Sequence, residues 1–281
     1  MTFIDFAKGH GLLIHSLYPS EKIHRCGTED KPKSKNGAYY FDGERGWVWR
    51  WDMGAETIWF EDENAQPWTE EQKKEWIQKR READRARETE AQKASKKAAE
   101  FLDKLTPSTH DYFIRKGLPK VTGPVKDGDL YIPMVNCITE KVMSYQRIFW
   151  DGEKWHKKMM YGAPTKNAVF RLGTGNPIHL VEGLATGYSI KDVAPGSVIV
   201  CFSANNLVQV ASQIGDFVWA DNDKSKTGEK AAIETGLPWV MPDEEGWDFN
   251  DLRTKKGIFA IKKKLFELNA KARQKPNIVL D

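Results

Sequence analysis

Cysteine is scarce and unpaired in this chain. Cys26, Cys137 and Cys201 are the only three among 281 residues, and no C-x-x-C occurs. That excludes a disulfide scaffold and leaves reduced thiols as the default. His10, His15, His24 and Cys26 share the N-terminal region without zinc-ligand spacing, so no zinc is expected and they read as ordinary loop and strand residues. No apolar run approaches the ~20 residues of a membrane span. The opening M-T-F-I-D-F-A-K-G-H lacks the charged and apolar regions of a signal peptide. A cytoplasmic protein without a membrane partner is therefore expected. Neither charge sign dominates: 43 Lys and Arg face 40 Asp and Glu, a net charge of +3. That balance does not establish nucleic-acid binding, although it allows a basic groove beside an acidic site. G-x4-G-K-[ST] is missing; Thr227-Gly228-Glu229-Lys230 only imitates its end, so no fused ATP-driven motor is expected. G-x-S-x-G, H-E-x-x-H and G-x-G-x-x-G are absent too.

What is present concentrates between residues 178 and 252. Ile178–Val181 is an apolar strand running into Glu182-Gly183. Phe217–Ala220 is another, running into Asp221-Asn222-Asp223. Between and after them, helical spacing at Ala185–Val193, Asn205–Ile214 and Gly228–Thr235 alternates with strand patterns at Ser197–Phe202 and Pro238–Met241. Such alternation predicts βαβ units around a parallel sheet buried on both faces. Right-handed crossovers then bring Glu182 and the Asp221/Asp223 pair to one sheet edge. That edge is where open α/β folds bind ligands. Converging carboxylates repel one another unless a cation sits among them. Hard oxygen donors suit Mg²⁺ or Mn²⁺, which points to metal-assisted phosphate or phosphodiester chemistry. The plain alternative for each carboxylate is a helix cap or a solvated loop residue.

The blocks V-E-G-L-A-T, A-D-N-D-x4-G-x2-A-A and W-D-F-N-D-L (Trp247–Leu252) resemble the three signature blocks of the Toprim domain, in the version found in phage and plasmid primases. His110–Leu118, Tyr131–Met134, Ser144–Trp155 and Cys201–Ala211 are similar to blocks flanking that core, so the resemblance covers roughly residues 108–255. It implies a Toprim, Rossmann-like parallel sheet, and a bacterial host cell's cytoplasm as the location. Glu182 then acts in acid/base chemistry or shares the metal. Asp221 and Asp223 bind it, and Asp248, Asn250 and Asp251 are outer ligands or water anchors. Asp251 has the alternative of capping the following helix. The implied activity is a DNA primase making short RNA primers on single-stranded DNA from NTPs, with a separate replicative helicase as a possible partner. Many primases carry an N-terminal zinc module, and its ligand spacing is missing here.

Three parts are expected. Residues 1–66 read as a small β-rich module. The turn Gly43-Glu-Arg-Gly46 leads into a strand with Trp47, Trp49 and Trp51 on one face and Val48 and Arg50 on the other. Lys35-Asn36-Gly37 reads as a hairpin turn into Ala38–Phe41. The Trp stripe could stack bases of single-stranded DNA, with Arg45 and Arg50 near phosphates; the alternative is packing against neighbouring elements. Residues 67–107 are a charged helical linker. From Thr69 to Leu105 it has no Pro or Gly, and 11 Lys/Arg against 9 Asp/Glu, which predicts a solvated helix of about 55 Å held by i,i+4 pairs. Residues 108–281 form the catalytic region, divided into a basic subdomain (108–176), the Toprim core (177–255) and a basic C-terminal helix and tail (256–281).

Arg115, Lys116, Arg147, Lys154, Lys157, Lys158, Lys166 and Arg171 are candidates to hold template phosphates or NTPs, since polymerisation needs cations beside the metal. Residues 253–275 add a basic run that suits nucleic acid, an acidic partner or solubility alone. Two other readings stay open: a Toprim nuclease cleaving phosphodiesters, and a non-catalytic nucleic-acid-binding replication protein. Intact carboxylates in all three blocks argue against the latter.

Overall fold

Thr2 starts the first helix, α1 (Phe3–Gly9), through a capping box: its hydroxyl accepts from the Asp5 amide at 3.2 Å and the Asp5 carboxylate accepts from the Thr2 amide at 3.4 Å. Phe3 and Ala7 on that helix are buried against a five-stranded antiparallel sheet. Its strands, in spatial as well as chain order, are β1 (Leu12–Leu13), β2 (Ser20–Thr28), β3 (Gly37–Phe41), β4 (Gly46–Arg50) and β5 (Ile58–Phe60). The Asp42 carboxylate closes the β3–β4 turn, accepting from the Glu44 and Arg45 amides at 2.9 and 2.7 Å. Alternation then sorts the two faces: Tyr39, Phe41, Val48 and Phe60 join Phe3 and Leu12 in a small core. Trp47 and Trp49 share the other face, as expected. Trp51 lies beyond the end of β4 and is exposed. Arg50 is committed elsewhere: its guanidinium meets the Asp30 carboxylate at 3.4 Å and the His10 carbonyl at 3.3 Å. The chain is a computed structural model describing residues 1–51, 57–60 and 69–274. Parts of the expected N-terminal module (52–56 and 61–66), the start of the linker (67–68) and the end of the C-terminal tail (275–281) lie outside the described residues.

The chain divides into two units, Met1–Arg81 and Glu82–Asp281. The division falls within helix α2 (Glu70–Leu102), which has the predicted two-sign charge pattern. Its described ion pairs are mostly i,i+3, such as Lys73–Glu70 and Lys93–Glu90, with Lys96–Glu100 at i,i+4. The last turns are not simply solvated. Ala98 is buried, Ser95 donates to the Met143 carbonyl at 2.9 Å, and the Phe101 ring packs on Tyr131 and Tyr145.

The second unit continues with β6 (Thr106–Thr109), α3 (Asp111–Arg115), β7 (Thr122–Lys126), β8 (Asp129–Asn136), β9 (Val142–Trp150), β10 (Trp155–Met159) and β11 (Ala168–Leu172). Then come β12 (Ile178–Val181), α4 (Leu184–Lys191), β13 (Ser197–Val200), α5 (Ala204–Ala211), β14 (Phe217–Trp219), α6 (Thr227–Thr235), β15 (Trp239–Val240), α7 (Phe249–Lys256) and α8 (Ile258–Gln274). One mixed sheet runs through it in the order β10-β9-β8-β11-β13-β12-β14-β15, with β7 beside β8 and β6 beside β7. The β13-β12-β14-β15 half is parallel, as the alternation of strands and helices predicts. Every residue of β13 is buried, because helices cover both faces. Leu184, Ile190, Phe249, Leu252, Ile261 and Leu268 from α4, α7 and α8 fill one face; Leu207, Val210 and Ala232 from α5 and α6 fill the other.

The antiparallel half was not foreseen as part of this sheet. Residues 108–176 were expected to precede it as a separate basic piece. Instead β11 pairs with β13 on one edge and with β8 on the other, so the two halves hydrogen-bond continuously. Strands β7–β10 alternate less clearly than a two-faced strand, and their pairing is long-range, which explains why local pattern did not reveal it.

Helix α4 approaches β13 through Gly187. A Cβ there would stand 2.7 Å from Val200 Cγ2 and 3.3 Å from Leu172 Cδ1. Gly187→Ala should therefore cost about 1–3 kcal/mol by overpacking, read as a lower thermal midpoint. Adding Val200→Ala should recover much of that loss; a double variant no more stable than Gly187→Ala would show that α4 does not rest on Val200.

Candidate active site

Glu182 leaves the C-terminal end of β12, and the next residue, Gly183, is the N-cap of α4. Asp221 and Asp223 follow β14, the parallel neighbour of β12. A Cys201 amide bond to the Val181 carbonyl at 2.8 Å and a Phe202 amide bond to the Glu182 carbonyl at 2.9 Å extend the β12–β13 pairing past the strand end. The Asp221–Asp223 loop is pinned on its far side. The Asn222 amide donates to the Trp247 carbonyl at 3.0 Å and its side chain to the Pro242 carbonyl at 3.0 Å. That tie brings Asp248, the next residue after Trp247, to the same edge. The structure thus gathers the carboxylates of all three sequence blocks.

Their environments differ. Asp221 is half-buried, but its Oδ1 is buried and has no hydrogen-bond partner among the described residues. Burial, then the nearby charges of Asp248, Glu182 and Asp223, push its carboxyl up to about 8, against a smaller opposing pull from Lys157. Burial also raises Glu182, with Asp223 adding to the rise and Lys157 opposing it. For Asp223, burial works upward, but the Ser225 hydroxyl and the Gly228 and Thr227 amides outweigh it and hold the carboxyl below its ordinary value. Asp223 accepts from Gly228 N at 2.8 Å, from Thr227 N at 3.2 Å and from the Ser225 hydroxyl. It therefore caps the first turn of α6 while facing the acidic edge.

Asp248 does the same for α7: it accepts from the Asp251 amide at 2.8 Å, and Asp251 accepts from the Asp248 amide at 3.2 Å. Asp251 is the third helical residue of a capping box, so its capping alternative is the one seen. Asn250 departs from the implied role of water anchor. It is buried, donating to the Lys116 carbonyl at 2.8 Å and to Ser189 Oγ at 3.1 Å, and so ties α7 to α4 and to the residues after α3.

Two supporting residues lie inside the quoted blocks but were given no role in the sequence. A Cβ on Gly228 would stand 2.4 Å from the Asp221 carbonyl oxygen, so a side chain there would push α6 away from the Asp221 backbone. The signal was a Gly in the first turn of a helix just after D-x-D. Thr186, one turn after Glu182, is buried with its hydroxyl unpartnered among the described residues. No signal beyond its place in V-E-G-L-A-T marked it.

The basic candidates separate. Arg147 is held by Asp129, Nε to Oδ2 at 2.6 Å, and lies over the Phe149 ring at 4.5 Å. Arg171 meets Glu140 at 3.4 Å and Ser197 Oγ at 3.4 Å. Arg115 lies over the Trp150 ring at 4.8 Å. Lys116 contributes its carbonyl to Asn250, and Lys154 and Lys166 are exposed. Lys157 is the basic candidate whose charge acts on both Glu182 and Asp221. Its ammonium is 5.6 Å from the centre of the Tyr112 ring, on α3. In the C-terminal basic run, Arg253 pairs with Asp192, Lys256 with Glu244, and buried Lys264 with Asp243 and Glu267, so these three serve the fold.

Among the described residues, no three His, Cys, Asp or Glu side chains converge closely enough to hold a metal ion as placed. The carboxylates are coupled through space, without sharing one coordination sphere. The donor set nonetheless fits a hard divalent cation: Asp221 presents a buried oxygen without a partner, surrounded by like charge. In the first unit, the His24 ring bonds Ser20 Oγ at 2.6 Å and stacks on Tyr39, and burial pushes the Cys26 thiol up to about 11. No helix among the described residues is long and apolar enough to cross a membrane.

No protein-family model matches the chain, and no curated protein matches it. Among solved structures it is similar to a DnaG primase catalytic domain bound to ssDNA, at 16% identity and a TM-score of 0.38, over 51% of this chain and 55% of that one. It is also similar to a DnaG catalytic core, at 13% identity and a TM-score of 0.39, over 57% and 61% of the two chains. A DNA primase domain from Pseudomonas aeruginosa follows, at 12% identity and a TM-score of 0.35, over 56% and 58%. The chain thus spans 55% to 61% of the length of these structures, and likeness at this level assigns no residue a role.

The electrostatics of Asp221 give a pH signature. Its carboxyl keeps a proton up to about 8 when folded and releases it at an ordinary 3.8 when unfolded. The folded state is therefore favoured most at low pH, and this contribution is lost as pH rises from 3.8 through about 8. Asp221→Asn removes the titration. In EDTA it should melt above wild type by roughly 5 °C at the alkaline end of that window, with the gap closing toward the acid end. Parallel melting curves across the window would remove the assignment of a strained carboxylate at 221.

Proposed function

We propose that this chain is a template-directed nucleotidyl transferase: a Toprim primase of the phage and plasmid type that joins ribonucleotides on single-stranded DNA. The observation that carries the reading is the unpartnered, buried oxygen of Asp221 at the C-terminal edge of the parallel strands, amid Glu182, Asp223 and Asp248. A helix cap or solvated loop residue accounts for Asp223 and Asp248 but not for Asp221. The order of the three blocks supports the Toprim assignment.

Glu182, Asp221 and Asp223, with Asp248 beside them, would hold Mg²⁺ or Mn²⁺. When bound, the ion supplies charge neutralisation for a triphosphate and for an attacking 3′-hydroxyl. The chain's own residues supply the rest. The Asp221 backbone is fixed by α6 through Gly228 and by Asn222 through Trp247, so the carboxylate is held before substrate arrives. Asp223 and Asp248, locked as caps, cannot swing to other rotamers without unsatisfying helix amides. Glu182, its carboxyl raised by burial, is poised to accept or return a proton at the edge. Lys157 faces the carboxylates and suits a phosphate oxygen of the incoming nucleotide.

Labelled NTP incorporation on single-stranded DNA, with cleavage scored on the same gel, tests this. Asp221→Ala should abolish incorporation while the protein stays folded. Lys157→Ala should raise the NTP concentration required by roughly tenfold or more, with affinity for single-stranded DNA little changed. Arg147→Ala, which removes a group already held by Asp129, should have a smaller effect on NTP. Cleavage without incorporation would replace the primase by a nuclease, and wild-type incorporation by Asp221→Ala would remove the site.

A further inference from the structure

The five-stranded sheet of the first unit has a second face that its core does not use. Register pairing builds that face in two rungs. Tyr40 on β3 pairs with Trp47 on β4, which pairs with Trp59 on β5. Two residues along, Arg25 on β2 pairs with Ala38 on β3, which pairs with Trp49 on β4. The strand period of two puts all six on the side opposite Tyr39, Val48 and Phe60. Trp59 is 56% exposed, and Trp51, just past β4, is 61% exposed with its ring 6.0 Å from Trp49. Tyr40 and Trp47 stack at 17° between ring planes, and the Arg25 guanidinium lies 5.2 Å from the Trp49 ring centre.

A one-sided antiparallel sheet ordinarily turns polar residues outward. Here the outward side carries a row of large aromatics across three strands, with one cation and no carboxylate on either rung. Rings on neighbouring strands about 4.8 Å apart form a graded platform, not one flat apolar patch. We propose that this face binds single-stranded nucleic acid, with bases stacking on Trp47 and Trp59 and the Arg25 guanidinium near a backbone phosphate. Aromatic rings accept any base, and among the described residues neither rung places a carboxylate against a phosphate backbone. An acidic protein partner would find a single cation here, whereas an unstacked strand finds several rings. Trp59 and Arg25 extend the Trp47/Trp49 stripe visible in the sequence. Arg50 leaves it, since Asp30 holds it.

The site deepens the proposed function by giving the template a contact in the first unit, but it stands without the carboxylates. The full chain, titrated into labelled oligo(dT) at low salt, tests it. Trp59→Ala should weaken binding about tenfold, with an unchanged thermal midpoint because the ring faces solvent. Trp59→Phe should stay within about twofold, and Arg25→Gln should flatten the salt dependence by about 0.7 in log–log slope. Trp47→Ala is the second stacking variant. Unchanged affinity in both Trp→Ala proteins would overturn the inference. So would a lowered midpoint without an affinity change, which would mean the face is packed by the chain itself. Loss of self-association with affinity intact would equally overturn it, marking the face as a contact between copies. If the wild-type protein joins no nucleotides while Trp59→Ala still loses oligo(dT), stacking survives and the proposed function fails.

Discussion

A carboxylate buried among carboxylates is the constraint around which the second unit is arranged. Taking Asp221 out of water is unfavourable, and placing it near Glu182, Asp223 and Asp248 adds to the cost. Such a group stays in place only if its backbone cannot move away. Three ties prevent it: the end of β14, the Asn222 bonds to the 242–247 loop, and the close approach of Gly228. The helices behind them are held in turn, α7 by Asn250 and α4 by its packing through Gly187.

Helix N-termini offset part of the negative charge gathered at this edge. Glu182 precedes the N-cap of α4, Asp223 caps the first turn of α6, and Asp248 caps α7. Each helix start presents unpaired N–H groups and a partial positive charge to the same sheet edge. Asp221 has no such helix of its own and is the carboxyl driven furthest upward. Capping a helix and facing the shared edge are therefore compatible for Asp223 and Asp248. The cap bonds satisfy Asp223 and Asp248 and leave Asp221 Oδ1 without a partner among the described residues.

Much of this could be read in the chain, and what could not has a common cause. The strand-end positions of Glu182 and Asp221 were legible because each follows a buried apolar strand, a local pattern with a topological consequence. The long helix was legible from its lack of Pro and Gly and its two-sign charge. The Arg147–Asp129 pair was not legible, because Asp129 lies on the neighbouring strand and only pairing register brings them together. Asn250 looked like a site residue until its two partners, far off in sequence, appeared. Trp51 has the right spacing for the Trp stripe, but β4 ends at Arg50. Periodicity finds elements and faces; it does not find which cation meets which anion.

Lys157 shows why the antiparallel half cannot be a separate accessory. It sits on β10, at the opposite end of the sheet from β15, yet its charge acts on Glu182 and Asp221. The connection runs over α3. Tyr112 lies beneath the Lys157 ammonium and packs against Trp155, while the adjacent Phe113 packs edge-on against Tyr188 of α4. A small helix lodged between the antiparallel strands and the helix that follows Glu182 thus brings a β10 cation to the carboxylate edge. Cutting the chain between β11 and β12 would leave the carboxylates with their caps but without that opposing charge, and would strip the hydrogen-bonded neighbour from β13. The acidic edge and the basic residue facing it belong to one sheet, so the groups that would hold a cation and those that would hold a phosphate are positioned by the same hydrogen-bond ladder.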